Sequence, residues 1–293
     1  MSFFLQTCQD FESYLLSHKP QILSFHPYFE EAFWEMMKNG GKRFRPNLLL
    51  SVVCAQSKEF VFNSFDVCLA IECLHTYSLI HDDLPAMDNA SLRRSHPTLH
   101  CKYDEVGAIL IGDGLNTYSF SLLSQAVFAP DVKIALIESL SQDGGISGMI
   151  LGQALDCYFE NTKLTQEKLD FIHIHKTAKL IATSLKMGGI IANLDSTTQK
   201  NLYDFGIKLG LYFQIRDDII DFLQDESKSG KTTQNDTNKN SYVNLLGIQQ
   251  AQDVMQQYIA QLEANLVELE SLQLTQLQHN LYELLKPYFQ PLT

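Results

Sequence analysis

The sequence predicts an all-α fold. Apolar residues recur at i, i+3, i+4 and i+7 through most of the 293 residues. Period-2 alternation never persists, and Gly-rich hairpin turns are missing. The periodicity predicts helices over roughly 3–17, 21–38, 43–56, 64–82, 103–127, 131–140, 144–158, 165–188, 197–223 and 244–290. The last is expected to break into two or three. Several are apolar on more than one face, as helices at the centre of a large bundle are.

Along the chain, Met1–Leu15 is broken by polar residues before a signal-peptide core forms, so no leader is expected. Pro46 suits the first turn of the helix at 43–56. Pro85 disrupts whatever helix reaches it from 64–82. The spacings Gly148/Gly152 and Gly206/Gly210 read as close helix packing. The polar run 224–242 reads as a solvated loop or as a mobile lid. No repeat or composition shift marks a boundary, so residues 1–293 read as one domain.

Composition narrows the function. With 45% apolar residues the chain can bury a large core, and a net charge of −12 argues against nucleic acid as the main partner. The six cysteines show no CxxC spacing, as expected for reduced core thiols in a cytoplasmic protein. No apolar run approaches the roughly 18–20 residues of a membrane span.

Two aspartate clusters stand out: HDDLPAMD, with Asp82, Asp83 and Asp88, and RDDIID, with Asp217, Asp218 and Asp221. Buried carboxylates are costly unless a positive charge neutralises them. Carboxylate sets select hard divalent metals, and such metals select phosphate. Asp217 and Asp221 share a helix face at i, i+4. Asp82 and Asp88, six apart, fall about 120° out of register on an ideal helix. A bulge or helix end at Leu84-Pro85 would return Asp88 to Asp82. Basic groups accompany the acids. Arg93 and Arg94 suit diphosphate oxygens. GGKRFRP offers Lys42, Arg43 and Arg45 at a helix start, a plausible anion site. His75 lies two turns before Asp82. Lys176-Thr177 sits among apolar residues and needs an anionic partner, with Gln153 and Asp156 of GQALD within the same polar set. Gln214 lies one turn before Asp217.

Together GGKRFRP, LHTYSLIHDDLPAMD, LRRS, GQALD, HKTA, FQIRDDIID and GK–NSY resemble the trans-prenyltransferases, the short-chain polyprenyl diphosphate synthases, and among them the bacterial farnesyl-forming members. The resemblance implies an isoprenoid-synthase-type helical bundle around a deep central cavity, as a homodimer. It implies condensation of isopentenyl diphosphate with dimethylallyl or geranyl diphosphate to (2E,6E)-farnesyl diphosphate, with magnesium, three ions per site. It makes Asp82, Asp83, Asp88, Asp217, Asp218 and Asp221 the metal set. Arg93, Lys176 and Lys231 would hold the allylic diphosphate, with Lys239 closing over it, and Lys42, Arg45, His75 and Arg94 would hold isopentenyl diphosphate. Lys176, Thr177 and Gln214 would face the allylic cation. Tyr77, five residues before Asp82, together with the Leu84-Pro85 insertion, would stop the product at fifteen carbons. The alternatives are a geranylgeranyl or geranyl diphosphate synthase and a non-catalytic subunit of a heteromeric synthase. The chain departs from the family pattern at Asn89-Ala90-Ser91, at Ser95 where glycine is common, in the lid GKTTQND without its second glycine, and in a C-terminus without arginine.

Overall fold

The computed structural model describes the backbone of residues 1–227 and 240–290. Lys231 and Lys239 lie outside the described residues. The chain forms two compact units, Met1–Ile137 and Glu138–Thr293.

The first unit contains α1 (Phe3–Ser17), α2 (Phe29–Lys38), α3 (Phe44–Gln56), α4 (Ser64–Asp82), α5 (Leu99–Lys102) and α6 (Glu105–Gln125), and α7 (Pro130–Gly144) begins in it. α4 packs against α1, α2, α3 and α6. That position explains its all-round apolar sequence: from Ser64 to Leu74 every residue but Asp66 is buried. Asp104 caps α6, accepting from the Gly107 N–H at 2.6 Å.

The second unit holds α8 (Met149–Tyr158), α9 (Gln166–His173), a π-helical turn (Ile174–Ala178), α10 (Lys179–Ile191), α11 (Ser196–Ser227), α12 (Tyr242–Leu246), α13 (Ile248–Ser271) and α14 (Thr275–Leu285). α11 packs on α10, α12, α13 and the π turn. A Cβ on Gly206 or Gly210 would stand 2.4 or 2.3 Å from the Cα of Ala182 or Ala178. The glycine spacing is therefore close helix packing. Gly152 works alike, its Cβ position lying 2.1 Å from the Lys176 backbone nitrogen, whereas its expected partner Gly148 precedes α8 and a Cβ there would meet the Asp143 carbonyl oxygen at 1.9 Å.

Several expectations need correction. The helix expected from 21 starts at Phe29, because Pro27 disfavours helical backbone at His26. The expected 165–188 helix is interrupted by the π turn and runs on to Ile191. The final run breaks into three pieces, at Gly247 (φ 81°) and Gln273 (φ 62°). A small antiparallel hairpin is also present, β1 (Leu92–Arg93) and β2 (His96–Pro97). Its two turn residues, Arg94 (φ 51°) and Ser95 (φ 64°), are both left-handed, the type I′ pattern. Neither residue signals such a turn.

Candidate active site

In the first unit the acids are arranged by the end of α4. The helix stops at Asp82, and Leu84-Pro85 leave it. The chain then turns straight back: the Asp88 N–H donates to the Asp82 carbonyl at 2.9 Å, and the Asn89 N–H to the Leu84 carbonyl at 3.1 Å. Asn89 takes a left-handed φ of 48° to allow this. The distortion that Pro85 implies is thus a helix end, and it brings the backbone of Asp88 to that of Asp82. The acids differ in setting. Asp88 is exposed and Asp82 half-buried, whereas Asp83 is 2% exposed. Arg93 Nε donates to Asp83 Oδ1 at 2.7 Å. Burial pushes the Asp83 carboxyl up, and the Arg93 charge opposes that.

The basic groups divide as well. Arg43, itself left-handed (φ 46°) at the start of α3, is buried and pairs with Glu72 at 2.9 Å and Glu12 at 2.8 Å. It also donates to the Met37 carbonyl at 2.5 Å. It serves the core and is not available to an anion. Arg45, two residues on, keeps a buried Nε without a partner among the described residues. Burial lowers its pKa to about 10, with Glu72 opposing and Arg94 adding. Arg94 donates to the Gly40 carbonyl. Its guanidinium lies 2.8 Å from where a Cβ on Gly41 would stand, so the glycine pair of GGKRFRP makes its seat. His75 is half-buried. Burial, then the charges of Arg45, Arg94, Arg93 and Arg43, hold its pKa well below the usual value and keep the ring neutral. Lys42 is exposed. Tyr77 is 7% exposed, its ring edge-on to His81 at 5.7 Å. Burial, then Asp82, push its hydroxyl up to about 12.

In the second unit the π turn presents HKTA toward α8 and α11. Such turns recur at functional sites because they re-aim side chains. Lys176 Nζ meets Asp156 Oδ2 at 2.5 Å, the anionic partner a half-buried lysine needs. The Thr177 hydroxyl donates to Gln214 Oε1 at 3.2 Å, and Gln214 Nε2 donates to Asp218 Oδ1 at 3.2 Å. The other Asp218 oxygen accepts from the Tyr242 backbone N–H at 2.8 Å. Burial pushes the Asp218 carboxyl up to about 7 despite both donors. Asp217 and Asp221 are exposed on the same helix.

The two clusters therefore share a plan: the middle aspartate is held by protein donors, and the outer ones lie nearer solvent. Among the described residues no three His, Cys, Asp or Glu side chains form a ready-made metal cage. The sequence shows Tyr242 only as the last residue of GK–NSY and gives it no role; its contribution is a backbone N–H, which a side-chain pattern does not assign. It also missed Gly41, for which the double glycine before a basic run was an available signal.

A family model described as polyprenyl synthetase matches residues 26–274. The farnesyl diphosphate synthase of Geobacillus stearothermophilus is 44% identical over 229 residues, covering 76% of this chain and 77% of the relative. A chloroplastic geranylgeranyl pyrophosphate synthase of Capsicum annuum is 37% identical over 228 residues, covering 76% and 62%. The crystal structure of geranyltransferase from Helicobacter pylori, complexed with magnesium and isoprenyl diphosphate, matches with a TM-score of 0.92. It is 55% identical, covering 98% of this chain and 96% of that one. The helical fold, the two aspartate clusters and a family match across most of the sequence agree: the chain belongs to the polyprenyl synthetase family.

Proposed function

We propose that this enzyme condenses isopentenyl diphosphate with dimethylallyl or geranyl diphosphate to give (2E,6E)-farnesyl diphosphate. The observation that carries the reading is the basic cluster of the first unit. Arg45 has a buried nitrogen with no partner among the described residues, and Arg94 and a neutral His75 lie in its field. A diphosphate supplies the charge such a cluster lacks. The names of relatives such as that of Geobacillus support the farnesyl product. So does a buried Tyr77 below Asp82. Nothing observed favours a longer or shorter product, and both aspartate clusters are intact, unlike a non-catalytic subunit.

In this reading Lys42, Arg45, His75 and Arg94 hold isopentenyl diphosphate. Arg93, Lys176, Lys231 and Lys239 hold the allylic diphosphate. The cations stabilise charge gathering on the diphosphate as its C1–O bond breaks. The oxygens of Thr177 and Gln214, and the Lys176 carbonyl, face the allylic cation. The isopentenyl double bond attacks it, and the proton leaves to the released diphosphate.

The outer aspartates fit magnesium: Asp82, Asp88, Asp217 and Asp221 are hard oxygen donors and accessible. Magnesium is usually held by one or two carboxylates with water and phosphate, so the lack of a closed cage suits it. Asp83 and Asp218, already engaged, orient their neighbours. Bound magnesium would neutralise charge on the leaving diphosphate; the number of three ions rests on the resemblance. A homodimer is supported by apolar side chains exposed on α6, Val106, Ile109 and Leu110. A cytoplasmic location is supported by the core thiols Cys54, Cys68 and Cys73; Cys8 is half-buried and Cys101 and Cys157 are exposed, so the core setting expected of the six cysteines holds for three. No described helix is long and apolar enough to cross a membrane.

The test is incubation with magnesium, isopentenyl diphosphate and each allylic starter, followed by product identification. No condensation with either starter would overturn the reading. Asp82→Ala and Asp217→Ala should each cut turnover by roughly three orders of magnitude with the melting temperature unchanged. Tyr77→Ala should lengthen the product toward twenty carbons, and an unchanged chain length would remove Tyr77 from the account.

A further inference from the structure

We propose that Tyr242 is a positioning residue for the cation-facing pair Thr177 and Gln214, acting through Asp218. The proposal rests on the prenyl-transfer reading above. Its basis is a continuous set of hydrogen bonds within the second unit. A glutamine amide has one oxygen and one nitrogen end, so its orientation follows its partners. Asp218 accepts from Gln214 Nε2, which turns Gln214 Oε1 to the Thr177 hydroxyl. Asp218 is in turn fixed from its other side by the Tyr242 N–H.

Tyr242 is held where it can do this. It is fully buried. Its hydroxyl donates to Asp170 of α9, and its ring stacks on His173 at 5.2 Å between centroids. The His173 ring nitrogens are buried and have no partner among the described residues, so the ring acts here as an apolar wall. Ser241 caps α12, accepting from the Asn244 N–H at 3.1 Å, so the helix start that supplies the N–H is itself braced. The side chain thus anchors a backbone donor, which anchors a carboxylate, which orients an amide. Loosening the anchor should leave diphosphate binding alone and disturb the oxygens that face the cation.

Tyr242→Phe keeps the ring and the backbone N–H and removes only the bond to Asp170. We expect kcat to fall roughly 10-fold, the size of a small misplacement, with KM for isopentenyl diphosphate within about twofold. The share of starter captured by water as its alcohol should rise several-fold. Asp170→Ala should reproduce this, Asp170→Asn should restore near-normal values by keeping an acceptor, and the double variant should be no worse than either single one. In the metal-free protein, amide exchange across α12 should quicken in Asp170→Ala and not in Asp170→Asn. If the variants lose melting temperature while kcat and the alcohol share of the folded enzyme stay unchanged, Tyr242 is a packing residue and the proposal falls. If the unsubstituted protein gives no condensation, the prenyl-transfer reading falls and takes this one with it.

Discussion

Arg43 commits its guanidinium to Glu12, Glu72 and a carbonyl, while Arg45 keeps a buried Nε without a partner among the described residues. The consequences of removing them differ in kind. Arg43→Ala strands a buried Glu72 and should cost about 3–5 kcal/mol in urea unfolding. Arg45→Ala removes a cation from a cluster of cations and should leave stability nearly unchanged while raising KM for isopentenyl diphosphate. Equal stability losses for the two would show that Arg45 is also a core residue. Ser95 offers a second test. It sits at φ 64°, where a non-glycine residue carries about 1–2 kcal/mol of strain. Against this, glycine loses more freedom on folding, by about 0.5–1 kcal/mol. Ser95→Gly should therefore hold or slightly raise the melting temperature; a clear fall would mean that the serine side chain contributes something unseen.

Helices were readable where burial and period agreed. α1 and α4 fall on the bounds the periodicity predicts, because both carry long stripes of apolar residues that only a helix buries together. What sequence could not show were features set by backbone conformation. The π turn that offers Lys176 and Thr177 has no side-chain signature, and Arg94-Ser95 makes a type I′ turn without the glycine or asparagine that advertises one. The aspartate and basic residues were visible as types; their division into buried and more exposed groups depended on how the chain packs. The glycine stripe on α11 was readable from spacing alone, and it supports a quantitative expectation. Gly210→Ala places a Cβ 2.3 Å from the Ala178 Cα, and backbone cannot easily yield. Overpacking of about 1–3 kcal/mol should outweigh the gain of up to about 1 kcal/mol in helix propensity. Because Ala178 closes the π turn, activity should fall together with stability; a stabilised variant would mean that α10 can shift away.

Stability against pH sums over the entire chain, and His173 gives it a recognisable slope. Burial lowers its pKa from 6.5 to about 4. Between those values the unfolded chain binds a proton that the folded one refuses, so stability is full above about 6.5 and drains away as pH falls toward 4. The Asp83 and Asp218 carboxyls, raised by burial, act in the opposite sense. A comparison of unfolding free energies for wild type and His173→Phe isolates the histidine: the variant should lose less stability on acidification from pH 7 to 4.5. Parallel curves would show that the ring accepts its proton in place. Chain length is another property of the molecule as a whole, and the hairpin after α4 constrains it in an unexpected spot. Arg93 on its strand reaches Asp83, while Arg94 at its tip reaches the carbonyl of Gly40. Exposed hairpins are ordinarily where sequences gain and lose residues freely. Here a single residue inserted or deleted between Ser91 and Arg93 would slide the pair by one register, so that one arginine takes over the other's place and the second place falls to a residue that is not arginine. Composition would be almost unchanged, yet one address would be answered by the wrong arginine and the other by none.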